Sequence, residues 1–126
     1  MPLEAPSGSP EERPHLPAPL AEQVGLMRRH LELNRAFEGS VLLRYLDAAL
    51  LNICEIAEVD LDLLNRVLAL RTASERLAQA VDASGRAVLN ERSEARERAL
   101  SELAALEEVL AHATPSAATQ ALRRGW

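Results

Sequence analysis

The sequence predicts an all-α protein, a three- or four-helix antiparallel bundle with coiled-coil-like seams, and three observations support this fold class. Apolar residues recur at alternating steps of three and four in several segments, which is typical of helices that bury one face. The most apolar stretch, residues 41–59, is too long for one strand and lacks strand alternation. Aromatic residues make up only 2% of the 126 residues, so aliphatic side chains must form the core.

Residues 1–17 are predicted to form a disordered, Pro-rich arm. Five of these residues are proline, which interrupts both helices and sheets. The segment also holds too few apolar residues to offset the entropy of an ordered chain. It lacks the apolar run of a secretion signal, which favours a cytoplasmic protein, with the nucleus as the alternative.

The first helix is predicted over residues 19–37, because Pro19 suits a first helical turn. Its apolar residues step by four, three and four, which is the spacing of a coiled-coil seam. The seam residues are Leu20, Val24, Met27 and Leu31.

The second helix is predicted over residues 41–59, with Ser40 as its N-terminal cap. Its polar residues form one narrow stripe on an otherwise apolar cylinder, and they are Arg44, Asp47, Asn52, Glu55 and Glu58. A helix of this composition needs several neighbours to cover it. We therefore expect it to be buried on most sides, at the centre of the bundle.

The third helix is predicted to start after the cap Asp60 and to run to about Ala83, with Ser84-Gly85 as its C-terminal cap and turn. Its seam residues are Leu63, Val67, Leu70, Leu77 and Val81, with Ser74 in the missing seam position. The buried stripe is expected to be widened by Leu64, Leu68 and Ala78.

The fourth helix is predicted over residues 86–113. Its first half is rich in charge, and its seam begins only at Ala99, continuing with Leu103, Leu106 and Leu110. If Gly85 did not end the preceding helix, the third and fourth helices would form one long rod. The bundle domain is predicted over residues 18–113, and residues 114–126 are predicted to be a flexible tail.

Composition and spacing argue against several kinds of chemistry. The net charge of −5 without a basic face argues against nucleic acid, and four charged residues in the most apolar run argue against a membrane span. The chain has no Lys, which excludes Schiff-base chemistry. A single cysteine, Cys54, excludes an internal disulfide, and Glu108 with His112 is only one half of a helical metal site. We predict no catalytic, cofactor-binding or metal-binding residues.

The predicted function is therefore non-catalytic: a protein–protein interaction module, such as an adaptor, an assembly subunit or a small chaperone-like regulator. The expected partner is another protein or a second copy of the chain, as a homodimer or a subunit of a helical complex, because the polar first half of the fourth helix leaves one end of the second helix poorly covered. The predicted interaction residues are Leu42, Leu46, Leu50 and Ile53 on the second helix and Arg123, Arg124 and Trp126 at the C-terminus.

The alternative is a small helical enzyme in which Glu55, Glu58 and Arg71 converge in a cleft. One segment, Val59 to Arg71, reads VDLDLLNRVLALR and is similar to the first helix of the AroQ-type chorismate mutases, which carries Asp, a Leu-Leu pair and then Arg. That resemblance implies an anion site made of Arg and Lys side chains. The chain has no Lys, and Arg71 comes one residue late, so we do not transfer the family's site residues.

Overall fold

The computed structural model describes residues 15–32, 38–83 and 87–122, with side chains described for all of these except residues 87–90. Five helices follow one another in this part of the chain: α1 (Ala18–Glu32), α2 (Gly39–Ile56), α3 (Leu61–Asp82), α4 (Ala87–Leu110) and α5 (Ala117–Leu122). None of the described helices is long and apolar enough to cross a membrane.

The first four helices form a closed ring in which each packs against two neighbours: α1 on α2, α2 on α3, α3 on α4 and α4 on α1. Within the described residues, the diagonal pairs do not approach each other closely. The α2 and α3 helices run antiparallel, since Gly39 at the start of α2 meets Asp82 at the end of α3. The α3 and α4 helices do the same, since Arg66 pairs with Glu102 and Arg92 donates to the Val81 carbonyl oxygen. The predicted all-α antiparallel bundle is confirmed, with four helices. The alternative of one long rod is wrong, because α3 and α4 fold back on each other.

The α1 helix contributes the predicted seam, and Leu20, Val24, Met27 and Leu31 are all buried. The described helix ends at Glu32, and the rest of the predicted range, residues 33–37, lies outside the described residues. An ion pair between Arg28 of α1 and the buried Glu107 of α4 links the first helix to the last of the ring. Leu16, assigned from the sequence to the N-terminal arm, packs in the core instead.

The α2 helix begins two residues earlier than predicted, and Ser40 is not its cap. Glu38 occupies the cap position without a side-chain hydrogen bond. The backbone N–H of Gly39 instead donates to Asp82 Oδ1 of α3 at 2.6 Å. The start of α2 is therefore stabilised by a different helix, which local sequence patterns do not reveal.

The position of α2 in the ring also differs from the expectation that it lies at the centre. One face, with Leu42, Leu46, Leu50 and Ile53, is buried in the core. The opposite face, which includes Leu51, is exposed to solvent. In a ring of four helices each member has one inward face and two flanks, so even the most apolar helix keeps an outer face.

The α3 helix begins as predicted, because Asp60 Oδ1 accepts the backbone N–H of Leu63 at 2.8 Å. The inner seam is buried at Leu63, Val67, Leu70 and Leu77. Ser74, in the missing seam position, is also buried, and its hydroxyl donates to the Leu70 carbonyl oxygen at 2.8 Å. The helix ends at Asp82 with Ala83 as its C-terminal cap, and the predicted cap at Ser84-Gly85 lies outside the described residues.

The α4 helix buries the predicted seam of Ala99, Leu103, Leu106 and Leu110 completely or almost completely.

After α4, part of the predicted flexible tail is hydrogen-bonded to the end of α2. Ser116 N–H donates to the Ile56 carbonyl oxygen at 2.9 Å, and the Thr119 hydroxyl donates to the same oxygen at 2.7 Å. These bonds satisfy a helix-end carbonyl that would otherwise lack a partner, and they hold α5 against α2.

Candidate functional site

Exposed apolar side chains concentrate in one region of the molecule. Among the described residues, eight large hydrophobic side chains are exposed, and five of these lie between residues 51 and 68. Their exposed fractions are 66% for Leu51, 43% for Val59, 72% for Leu61, 41% for Leu64 and 52% for Leu68. A cluster of this kind is more informative than single exposed leucines, which are normal on protein surfaces.

Three of these leucines form a second stripe along α3. Leu61, Leu64 and Leu68 are spaced by three and four residues, which places them on one side of the helix. The buried seam, including Leu63 and Leu70, follows the same spacing on the inner side. The first half of α3 therefore carries one leucine stripe for the core and another that the described chain does not cover.

An ion pair shows how Leu51 of α2 lies relative to this stripe. Arg71 of α3 bonds Asp47 of α2, with 2.9 Å between Nε and Oδ1. One turn onward from Asp47 is Leu51, and about one turn back from Arg71 is Leu68. Because α2 and α3 are antiparallel, these two leucines lie at the same level of the seam. We call Leu51, Leu61, Leu64 and Leu68 the leucine surface.

The end of the leucine surface near the α2–α3 connection is acidic. Four exposed acidic residues lie there: Glu55, Glu58, Asp60 and Asp62. Three of them, Glu58, Asp60 and Asp62, line a groove of about 350 Å³ on the α4 side of α3, together with Glu108 and His112 of the α4 end. Glu55 lies on α2, one turn after Leu51. None of these carboxylates forms an ion pair with a described residue. We call Glu55, Glu58, Asp60 and Asp62 the acidic end.

At the opposite end of the leucine surface, the charged side chains form ion pairs with one another. Arg71 bonds Asp47 and also Glu75, with 2.8 Å between Nη1 and Oε2. The hydrogen bond and the charge of Asp47, followed by the charge of Glu75, raise the pKa of Arg71 above its ordinary value. Arg71 therefore remains cationic and its charge is compensated within the chain, so that it offers little to a partner.

The structure places the predicted interaction residues in two different settings. Leu42, Leu46, Leu50 and Ile53 are at most 6% exposed and fill the chain's own core. Arg123, Arg124 and Trp126 lie outside the described residues. The leucine surface is exposed instead, and its four residues were not among the predicted interaction residues. The spacing of Leu61, Leu64 and Leu68 is the signal that could have identified them.

The cleft of the enzyme alternative is not assembled. Arg71 is engaged with Asp47 and Glu75, whereas Glu55 follows Asp47 by eight residues, about 12 Å along the helix. Cys54 is half-buried, and desolvation raises the pKa of its thiol, which disfavours the nucleophilic thiolate. Among the described residues, no three His, Cys, Asp or Glu side chains are grouped so that they could hold a metal ion.

A larger groove of about 700 Å³ runs between the second half of α3 and the first half of α4. Its lining includes the alanines Ala73, Ala80 and Ala95. The charged side chains along it, among them Arg76 and Glu94, are exposed. Among the described residues, the charged side chains that line this groove are therefore solvated.

Comparison of the chain with protein-family models, with curated proteins and with solved structures finds no match in any of the three. The candidate site is therefore defined by its own geometry and chemistry alone.

Proposed function

We propose that this protein is a non-catalytic interaction module, an adaptor or assembly subunit, that binds a protein partner through the leucine surface. The single observation that supports this function is the exposure of Leu51, Leu61, Leu64 and Leu68 side by side on α2 and α3. The core of the described chain is formed by other residues, and none of these four leucines belongs to it. Contiguous exposed apolar residues on a protein surface mark interaction sites.

The energetics suit reversible binding. Covering a leucine that is half exposed contributes roughly 1 kcal/mol from apolar area alone. Four such residues supply several kcal/mol, which is offset in part by the entropy lost on association. The partner that covers the leucine surface is either a second copy of the chain or an unrelated protein. Cys54, an unpaired thiol, supports a role in a reducing compartment such as the cytoplasm.

The test is affinity capture from cell lysate with three forms of the protein. Wild type is compared with a double variant, Leu64→Gln and Leu68→Gln, and with the control Leu26→Gln, which alters an exposed leucine on α1. Quantitative mass spectrometry should show partners that are retained by wild type and by the control but lost by the double variant.

Self-association is followed on the same three proteins by sedimentation equilibrium over a wide concentration range. A dimer that disappears only in the double variant also supports an interaction role for the leucine surface. The proposal fails if the three proteins capture the same set and all remain monomeric, because the leucine surface would then contribute to no association.

A further inference from the structure

We infer that the occupant of the leucine surface is a cationic amphipathic helix of another protein, with leucine-like side chains on one face and Arg or Lys beside them. This inference rests on the proposed function and adds the chemistry of the partner. It follows from the shape of the surface, from the charge at its acidic end and from the way that charge is left uncompensated.

The shape fits a helix. The leucine surface lies along the seam between two antiparallel helices, and a seam of this kind accepts a third helix laid along it. On α3 the stripe from Leu61 to Leu68 spans seven residues, about 10 Å or two turns. A helix with apolar residues at positions i, i+3 or i+4, and i+7 would present its side chains at matching intervals.

The negative charge of the acidic end indicates what kind of partner helix binds there. Glu55, Glu58 and Asp62 are exposed at the acidic end and have no cationic partner among the described residues. Asp60 adds a fourth negative charge while it caps α3. A partner with Arg or Lys flanking its apolar face would meet these carboxylates, and opposite charges at the rim steer association and select among partners.

The same charges argue against the other occupants. A second copy would bring a second acidic end, and Arg71, three residues after Leu68, is already paired with Asp47 and Glu75. Arg66, two residues after Leu64, is paired with Glu102. The α2 helix carries one basic residue, the exposed Arg44, against the four carboxylates of the acidic end. A membrane with anionic headgroups would be repelled by the acidic end, since surface binding to such lipids needs basic residues.

The experiment uses the full-length protein and two designed peptides of about 18 residues, or five helical turns. Both peptides carry the same leucine stripe; one has Lys and Arg beside it, and in the other each of these is replaced by Glu. Binding is measured by fluorescence anisotropy at low and at high ionic strength. The cationic peptide should bind at least about tenfold more tightly than the acidic one at low ionic strength, and the difference should shrink with salt.

Two sets of variants locate the effect. Glu55→Gln, Glu58→Gln and Asp62→Asn together should weaken binding of the cationic peptide by roughly tenfold, since exposed pairs contribute modestly and add up. The double variant Leu64→Gln and Leu68→Gln should weaken it by about tenfold or more. Arg44→Gln, which removes a charge of the opposite sign, is the matched control and should not weaken binding. Circular dichroism confirms that each variant is folded.

Each outcome decides the inference. The inference of a cationic partner is overturned if both peptides bind equally, or if the triple carboxylate variant binds the cationic peptide as tightly as wild type. In either case the leucine surface still stands as an interaction site if the leucine variant loses its captured partners. A dimer that depends on Leu64 and Leu68 overturns it in favour of a second copy. If neither peptide binds, no dimer forms and capture is unaffected by the leucine variant, both the inference and the proposed function fail.

Discussion

The seam between α2 and α3 has two halves that differ in how the chain completes them. The upper half joins residues 39–47 of α2 to residues 71–82 of α3, and two polar contacts cross it: the Gly39–Asp82 hydrogen bond and the ion pair of Arg71 with Asp47. Glu75, one turn along α3, adds a second carboxylate to Arg71. The lower half joins residues 48–56 to residues 61–70. No hydrogen bond or ion pair is seen to cross it between described residues, and its outer edge carries the leucine surface.

The two halves of the α2–α3 seam therefore differ in how many of their polar groups are partnered within the chain. In the upper half the groups that face each other are partnered within the chain, so a further protein would gain little there. In the lower half the inner leucines already form the core, the outer leucines are exposed, and Glu55, Glu58 and Asp62 have no cationic partner in the described chain. The upper half stabilises the fold, and under the proposed function the lower half is the part that binds the partner.

The largest effect is expected at the inner face of α2, where Leu46→Asp should unfold the protein. Leu46 is 1% exposed, and a buried, unpaired carboxylate costs more than about 4 kcal/mol, close to the whole stability of a small domain. The same substitution at Leu51, on the outer face of α2, should cost less than about 1 kcal/mol. Thermal melts followed by circular dichroism compare the two. Equal losses would show that Leu51 is not at a free surface.

A smaller loss is expected at the top of the upper half. In Gly39→Ala the new Cβ would clash with the Ala78 carbonyl oxygen and lie 2.7 Å from Asp82 Oδ2, and overpacking of this kind costs about 1–3 kcal/mol. The control is Gly25→Ala in α1, where a Cβ meets nothing within 4 Å; it should stabilise by about 0.5–1 kcal/mol. Urea denaturation measures both. A Gly39→Ala protein as stable as wild type would mean that α2 and α3 do not pack closely here.

Arg71→Gln should lower the melting temperature slightly, and less than Gly39→Ala does. Arg71 and its two carboxylate partners are partly exposed, and solvent screens pairs of this kind. The loss should be largest at low ionic strength and should fade as salt is added. Melting curves over a salt series provide the measurement, and a decrease that is independent of salt would show that Arg71 acts through packing rather than charge.

The smallest effect concerns Cys54 and appears only at alkaline pH. Burial raises the pKa of the thiol in the folded protein, so folding favours the neutral form. Stability is therefore unaffected below the ordinary thiol pKa, and it falls as the pH rises through that value toward the raised one, since the unfolded chain ionises first. Denaturation curves of wild type and Cys54→Ala should agree at neutral pH and separate slightly in alkali. Identical curves at every pH would show that the thiol is fully solvated.

The sequence by itself determined the fold class and most of the inner seams. Steps of three and four predicted α1, α3 and α4, and the seam residues that this spacing selected are buried from Leu20 to Leu110, except Val81 of α3, which is partly buried. The cap at Asp60 was predictable as well, because a side-chain cap bonds the backbone only three residues away. These features depend on contacts that are local in sequence or on helical periodicity, and both can be inferred from the amino-acid sequence alone.

The tertiary structure decided which leucines face the core and which face outward. Leu64 and Leu68 were expected to widen the buried stripe, yet they are exposed, because a helix in a ring of four buries one narrow face. The start of α2 is held by Asp82, which is 43 residues away in sequence, and the tail is held by the end of α2. Composition says how apolar a helix is, but only the number and direction of its neighbours determine how much of it is covered, and hence where a partner can bind.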